Sequence, residues 1–138
     1  MKRKSNSPEI TIIGCGTPTP LPDRFGSSYV IDIEGEKLLF DCGPATTWKL
    51  IKAGISPTEI NSVFFTHHHF DHDADFPTFI LTRWDQIVPK DRLLKVYGPT
   101  MTEEFTRGII DEDTGLFAHD WKARIGHSAS QVTYLDRG

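Results

Sequence analysis

Cysteine is scarce in this chain of 138 residues, in which only Cys15 and Cys42 carry thiols. The two make no C-x-x-C pair, and two cysteines are too few for a disulfide scaffold. We expect both thiols to be reduced and to act as small buried fillers.

Long hydrophobic runs are also missing. No apolar stretch approaches the roughly 18 residues that a membrane-spanning helix needs. The first ten residues, MKRKSNSPEI, contain no apolar segment of the kind found in signal peptides. We therefore expect a cytoplasmic protein that makes no membrane contact.

An excess of positive charge is absent as well, since the formal net charge is −4. Bulk charge thus gives no support for a nucleic-acid binder. The composition is otherwise ordinary, with 38% hydrophobic and 25% charged residues and no internal repeat. Length and composition favour a single globular domain over residues 1–138.

Short apolar runs alternate with segments of helical spacing along the chain. Gly54 is placed to end the first helix, and Pro77 must lie in the first turn of a helix over 74–84. Strands are predicted at 9–14, 28–33, 37–41, 62–65 and 93–97, a hairpin across 34–36, helices at 45–55, 74–84 and 100–110, and a capping box at 56–59. For the last helix, Thr100 or Thr102 is the expected cap, and beyond Gly115 the pattern supports no assignment. This alternation predicts an α/β, layered architecture.

The segment THHHFDHDADFP, at 66–77, concentrates metal-binding side chains directly after an apolar strand. His67 and His69 are two residues apart, so an extended backbone turns both to one side. Asp71 and His72 form a second pair. Imidazole and carboxylate donors suit zinc, manganese or iron(II), and two such ions could activate a shared water for hydrolysis.

Other readings of the same residues are weaker. A calcium loop over DHDAD would need glycine at 76 and glutamate at 82, where the chain has Phe76 and Thr82. Gly14 and Gly16 do not complete a G-x-G-x-x-G motif, because Thr19 stands at the third glycine. A fortuitous histidine-rich surface loop remains an alternative.

Four motifs together resemble the metallo-β-lactamase superfamily, in its ribonuclease Z and arylsulfatase-like branch. THHHFDH resembles the H-x-H-x-D-H signature, GCGTPTPLPDRFGSSYVI the G-T-x-x-x-x-P-x-x-R-x-x-S-S opening, KLLFDCG the L-F-D-C-G strand and LLKVYGP the strand that follows the metal loop. They cover residues 9–100 in the order of that family. The resemblance implies an αβ/βα sandwich of which this chain is the N-terminal half, incomplete at the C-terminus.

Carried over by position, the resemblance implies that His67 and His69 bind one metal ion and that Asp71 and His72 bind a second. Asp71 would also act as general base or orient the attacking water. Asp41 would orient a ligand, although a strand-end aspartate that caps a turn is an equally good reading. His68 stands at a variable position and is expected not to bind metal.

Two departures from the family pattern concern the substrate. Asp75 replaces the glycine of H-x-H-x-D-H-x-x-G-L-P, and DCGPATTW replaces D-C-G-E-G-T-Q. An acidic group beside the site would bind through water or disfavour an anionic substrate such as phosphate.

The third departure is length. The remaining family ligands lie in later strands, and His119 and His127, outside any recognisable ligand strand, are expected to be structural or exposed. Half a sandwich would leave an apolar sheet face that a longer chain or a partner must cover, so we expect a homodimer.

The expected function is that of a metal-dependent hydrolase with two divalent ions, zinc first and manganese or iron as alternatives. The leading hypothesis is a phosphodiesterase of ribonuclease Z type, in which a hydroxide between the ions attacks the substrate. Its substrate would be a phosphodiester or other ester, and RNA receives no support from charge. Hydrolysis of sulfate esters or lactones, a non-catalytic metal-binding role and di-iron redox chemistry remain alternatives.

Overall fold

A computed structural model describes residues 7–87, 92–125 and 135–136 of the chain. Its strands are β1 (Glu9–Gly14), β2 (Ser28–Ile33), β3 (Glu36–Phe40), β4 (Ile60–Phe64), β5 (Leu94–Tyr97) and β6 (Leu135–Asp136). Its helices are α1 (Thr46–Lys52), α2 (Phe70–Asp73), α3 (Phe76–Gln86), α4 (Thr102–Ile110) and α5 (Ala118–Ile125). The predicted strands and helices are thus confirmed, and α5 lies where no element was assigned.

The strands form one mixed sheet in the order β1-β2-β3-β4-β5-β6. β1, β2 and β3 pair antiparallel, whereas β3, β4, β5 and β6 run parallel. The β2–β3 hairpin turns through Glu34 and Gly35, both at positive φ, as a two-residue turn of this twist requires. The parallel half places the C-terminal ends of β3, β4 and β5 at one edge.

One face of the sheet is covered by helices. Alternate strand residues such as Val30, Leu39 and Val63 are buried there with Leu50 of α1 and Phe79 of α3 in a single core cluster. Pro77 lies in the first turn of α3, as predicted. The capping box of Ser56 and Glu59 is also confirmed, on a 3₁₀ turn at Pro57–Glu59 that leads into β4.

The opposite face carries a row of stacked aromatic rings across four strands. Tyr29, Phe40, Phe64 and Tyr97 stack in sequence, with centroid distances of 5.1, 5.0 and 4.7 Å. Their spacing matches the distance between strands, because each ring stands above its own strand. At the β1 end, Ile10 and Ile12 are 61% and 64% exposed. This face of the sheet is therefore apolar and is exposed at its β1 end.

Several details of the prediction are wrong. Cys15 is exposed, because it follows the last residue of β1 and enters the irregular loop; only Cys42 is buried. Neither Thr100 nor Thr102 caps α4; the cap residue is Met101, at φ 85°, and it makes no side-chain hydrogen bond to the helix. The Thr102 hydroxyl instead donates to the carbonyl oxygen of Pro99.

The outer side of α1 carries exposed apolar side chains. Trp48 and Ile51 follow helical spacing, yet they are 56% and 55% exposed, and Leu50 is the helix's buried apolar residue. Gly54, at φ 77°, ends the helix as predicted. In the part of the chain that the structure describes, no helix has the length and apolar character that crossing a membrane requires.

Candidate metal centre

The histidine-rich segment lies at the C-terminal edge of the parallel strands. His67 and His69 occupy the connection after β4, and Asp71 and His72 lie on the single turn of α2. No helix was predicted between residues 60 and 73, so the helical turn under the second pair is a correction. It turns Asp71 inward, where its side chain is buried, while His69 remains exposed.

The structure brings the imidazole rings of three predicted ligands close together. The centroids of His67 and His72 are 4.0 Å apart, and those of His67 and His69 are 4.7 Å apart. The Nε2 atom of His72 lies 3.4 Å from Oδ2 of Asp71. Two donors about 2.1 Å from one tetrahedral ion stand roughly 3.4 Å apart, so this pair has the spacing of two ligands on one ion.

Asp41 fixes the orientation of these ligands. It follows β3 at φ 57°, and its side chain is 1% exposed. Its Oδ2 accepts a 2.7 Å hydrogen bond from His72 Nδ1, which leaves Nε2 of that ring to face an ion. A strand-end aspartate that merely caps a turn would not make this contact.

Thr66 extends the same network to His67. Its backbone N–H and its hydroxyl each donate a 2.8 Å hydrogen bond to the Asp41 carboxylate. The hydroxyl oxygen, 3.1 Å from His67 Nδ1, then accepts from that nitrogen and leaves its Nε2 available. The sequence analysis missed Thr66, whose only signal was its position directly before the histidines.

Backbone contacts dock the segment onto the rest of the fold. The carbonyl oxygen of Asp71 accepts from Ser27 N at 2.9 Å, and that of His72 accepts from Cys42 N at 2.6 Å. A Cβ atom added to Gly43 or Gly26 would lie 2.1 or 2.4 Å from the Asp71 oxygen. The glycines of FDCG and RFGSS are therefore needed for this close approach.

His68 has a different role from its neighbours. Its Nδ1 lies 3.1 Å from Asp73 Oδ2 and its Nε2 lies 2.8 Å from Thr102 Oγ1. The ring also contacts Phe65 and Phe105, each at a centroid distance of 5.0 Å. Both nitrogens are engaged by the protein, so His68 ties the metal segment to α4.

Asp75 does not act as a free charge beside the ligands. Its Oδ2 accepts a 2.6 Å hydrogen bond from the backbone N–H of Thr47, in the first turn of α1. This contact satisfies one of the unpaired N–H groups at the helix start and places the carboxylate at the positive end of the helix.

Cys42 is buried near the centre. Burial raises the pKa of its thiol well above the ordinary value of 9.0, and the Asp75 carboxylate raises it further. The thiol thus stays protonated and serves as packing.

The described donors form only part of a metal site. Within residues 7–87, 92–125 and 135–136, no three His, Cys, Asp or Glu side chains are grouped tightly enough to hold an ion by themselves. His119 is exposed on α5, and His127 lies outside the described residues. The ligands present fit a transition-metal ion in donor type and in the atoms they offer, and such an ion would need further donors.

A family model and known proteins match this chain. The model of the metallo-β-lactamase superfamily matches residues 21–132. Ribonuclease Z from Mycobacterium bovis is 32% identical over 126 residues, which are 91% of this chain and 44% of that protein. Ribonuclease Z from Pyrococcus abyssi is 37% identical over 119 residues, which are 85% of this chain and 37% of that protein.

A solved structure agrees with the sequence matches. The short form of human tRNase Z superposes with a TM-score of 0.69 at 32% identity, over 79% of this chain and 42% of that one. The chain therefore spans less than half the length of the relatives it matches.

Proposed function

This chain belongs to the metallo-β-lactamase superfamily, and from that membership and the geometry of its histidine segment we propose that it acts in metal-dependent hydrolysis of phosphodiesters, as a ribonuclease Z type protein. The observation that carries the proposal is the pair of Asp71 and His72. Their donors stand 3.4 Å apart, and the His72 ring is held from behind by buried Asp41.

In this proposal His67 and His69 bind one divalent ion, and Asp71 and His72 bind a second. Zinc is the leading candidate, and manganese or iron suits the same donors. Bound ions supply a water that ionises near neutral pH and a positive charge beside the substrate. Further donors must come from outside the described residues.

The chain's own residues orient the histidine rings and accept a proton from the attacking water. Asp41 keeps the Nδ1 proton of His72 in place, and Thr66 relays the same control to His67. Asp71, 6% exposed, is the proposed general base that accepts a proton from the attacking water.

Two observations bear on the choice among phosphodiesters, sulfate esters and lactones. The relatives at 32% and 37% identity are ribonuclease Z proteins. Asp75, which would oppose an anionic substrate, is bound to the Thr47 N–H at the start of α1. The relatives favour an RNA phosphodiester, and the Asp75 contact explains how an acidic residue can lie near a site for an anionic substrate.

We also propose that the chain acts in the cytoplasm and self-associates as a homodimer. The support for self-association is the aromatic row of Tyr29, Phe40, Phe64 and Tyr97, flanked by exposed Ile10 and Ile12. Burial of such a face against a second sheet is favourable. Sedimentation of the chain over a range of concentrations tests this, and a monomer at every concentration would exclude it.

The hydrolase proposal is tested with a chromogenic phosphodiester and a chromogenic sulfate ester, each with the chain equilibrated in zinc, manganese or iron(II). We expect turnover of the phosphodiester that a chelator abolishes. Asp71→Asn should reduce it by roughly 10²–10⁴-fold, because a general base contributes that much. His119→Asn, on exposed α5, is the matched control and should leave turnover unchanged. Bound metal without any turnover would instead identify a non-catalytic metal-binding protein.

A further inference from the structure

The outer side of α1 combines exposed apolar side chains with lysines. Trp48 and Ile51 are more than half exposed, and Lys49 and Lys52 lie in the last turn of the helix. Together with Phe25, from the loop between β1 and β2, these residues form what we call the α1 patch. Tryptophan is highly buried on average in folded proteins, so an exposure of 56% for Trp48 is unusual.

Each lysine in the α1 patch lies over an aromatic ring. The Nζ atom of Lys52 is 4.4 Å from the centroid of the Trp48 ring, and that of Lys49 is 4.9 Å from the centroid of the Phe25 ring. Trp48 and Lys52 are four residues apart, the spacing of neighbours on a helix surface. Among the residues that the structure describes, neither lysine has an acidic partner within ion-pair distance. The patch therefore alternates rings with positive charges that pair with no carboxylate in the described part of the chain.

The α1 patch adjoins the metal segment. The helix begins where the Thr47 N–H donates to Asp75, and Phe25 precedes Gly26, which packs against the Asp71 carbonyl. Lys52 lies five residues beyond Thr47, so the helix carries it only about 7.5 Å along its axis. A polymer bound at the histidine-rich segment would reach the α1 patch within a few monomer units.

We propose that the α1 patch binds a single-stranded RNA segment that flanks the bond to be cleaved. Bases stack on the rings of Trp48 and Phe25, and Lys49 and Lys52 contact the adjoining phosphates. The inference rests on the proposed function for the identity of the polymer. Rings between cationic side chains are the surface that single strands use, because every base has a face that can stack and every linkage has a charge.

Charge favours RNA over a second copy of this chain at the patch. A two-fold contact through α1 would bring Lys49 and Lys52 of one copy against the same lysines of the other. The chain has a net charge of −4, yet the patch places two lysines over two aromatic rings. RNA supplies negatively charged phosphates for the lysines and planar bases for the aromatic rings.

The test is fluorescence anisotropy with the full chain and a labelled single-stranded RNA of about ten nucleotides, a length within the usual site sizes. A chelator is present throughout, so binding is measured without metal or cleavage. Trp48→Ala should weaken binding by about tenfold to a hundredfold, the usual cost of one lost stacking platform. Leu116→Ala is the matched control, since Leu116 is 68% exposed and its backbone N–H is bonded to Gly108 of α4.

Charge is tested by the double variant Lys49→Glu/Lys52→Glu. It should weaken binding and reduce the slope of log affinity against log salt by roughly 1.4, about 0.7 for each phosphate contact with a single strand. The control Arg107→Glu/Lys122→Glu has the same change of charge on α4 and α5 and should bind more tightly than the α1 variant. Far-ultraviolet circular dichroism and urea midpoints establish that each variant folds.

The inference is overturned if the wild-type chain does not bind the RNA, or if Trp48→Ala binds as tightly as Leu116→Ala. It is also overturned if Trp48→Ala changes the sedimentation coefficient but not RNA affinity, because the patch is then a contact between copies. If the chain hydrolyses the phosphodiester but the patch variants bind RNA as tightly as the wild type, the inference fails and the proposed function stands. If the patch binds RNA but the chain shows no turnover, the proposed function fails and RNA binding by the patch stands.

Discussion

The Nδ1 atom of His72 lies 2.7 Å from Oδ2 of Asp41, a carboxylate that is only 1% exposed. The two residues are far apart in the chain, and the parallel pairing of β3 with β4 brings them to the same sheet edge. A buried carboxylate behind an imidazole fixes which nitrogen carries the proton and which faces a ligand. Asp41 is therefore a positioning residue for the proposed centre.

Asp41→Asn should weaken metal binding by about 10–100-fold, the usual effect of losing such a partner. Asparagine tolerates the φ of 57° at this position. Its amide NH2 cannot accept the hydrogen bonds that Oδ2 accepts from Thr66 and His72, so stability should fall by about 1–3 kcal/mol. Titration calorimetry with zinc measures the affinity. Asp32→Asn is the control, because Asp32 pairs with Lys37 on the sheet surface. Equal zinc affinity in the two variants would show that Asp41 does not position His72 for metal binding.

Gly43→Ala should destabilise the fold by at least about 2 kcal/mol, because its Cβ would lie 2.1 Å from the backbone oxygen of Asp71. Urea denaturation measures the free energy of unfolding. Gly108→Ala is the control within α4, where a Cβ meets nothing within 4 Å; it should stabilise by about 0.5–1 kcal/mol. A neutral Gly43→Ala would show that the metal segment does not pack as described.

His68→Phe should leave the number of bound metal ions unchanged and lower stability by about 1–3 kcal/mol. The phenyl ring retains the contacts with Phe65 and Phe105, whereas Asp73 and Thr102 lose their hydrogen bonds to the imidazole. His69→Phe is the contrasting variant and should reduce bound metal. Loss of metal in His68→Phe, at equal foldedness, would make His68 a ligand.

The raised pKa of Cys42 predicts a stability that declines in alkaline solution. The unfolded thiol ionises near its ordinary value of 9.0, whereas the folded thiol remains protonated. Its contribution is complete below that pH and is lost as the pH rises, by up to about 1.4 kcal/mol per pH unit.

Urea unfolding between pH 7 and about pH 10.5 measures this slope, which Cys42→Ala should reduce. Cys15→Ala should retain it, since Cys15 is exposed. The three proteins differ at these cysteines alone, so a difference in slope reports on the substituted thiol. Identical slopes in wild type and Cys42→Ala would contradict the assignment.

Local patterns predicted the elements and the family well. The strand at 9–14, the hairpin through Gly35 and the capping box of Ser56 depend on neighbours in sequence, and each is confirmed. The family is confirmed by a match over 21–132. The four metal ligands, His67, His69, Asp71 and His72, stay a prediction that the geometry supports.

Long-range contacts were beyond the sequence. Thr66 joins His67 to Asp41, and Asp75 binds the start of α1, only because the chain folds back on itself. The exposure of Trp48 has the same origin, since helical spacing does not tell which side of α1 the sheet will cover. The sequence does not tell which distant residues a side chain will contact, so these contacts and the exposure of Trp48 could not be predicted from it.

The central claim is tested most directly by the metal-to-protein ratio of the wild-type chain and of His67→Ala/His69→Ala. Inductively coupled plasma mass spectrometry after equilibrium dialysis against zinc measures both, with His119→Ala as the exposed-histidine control. The account predicts about one to two equivalents in the wild-type chain and the control, and a sharp loss in the double variant. Unchanged zinc in the double variant would contradict it.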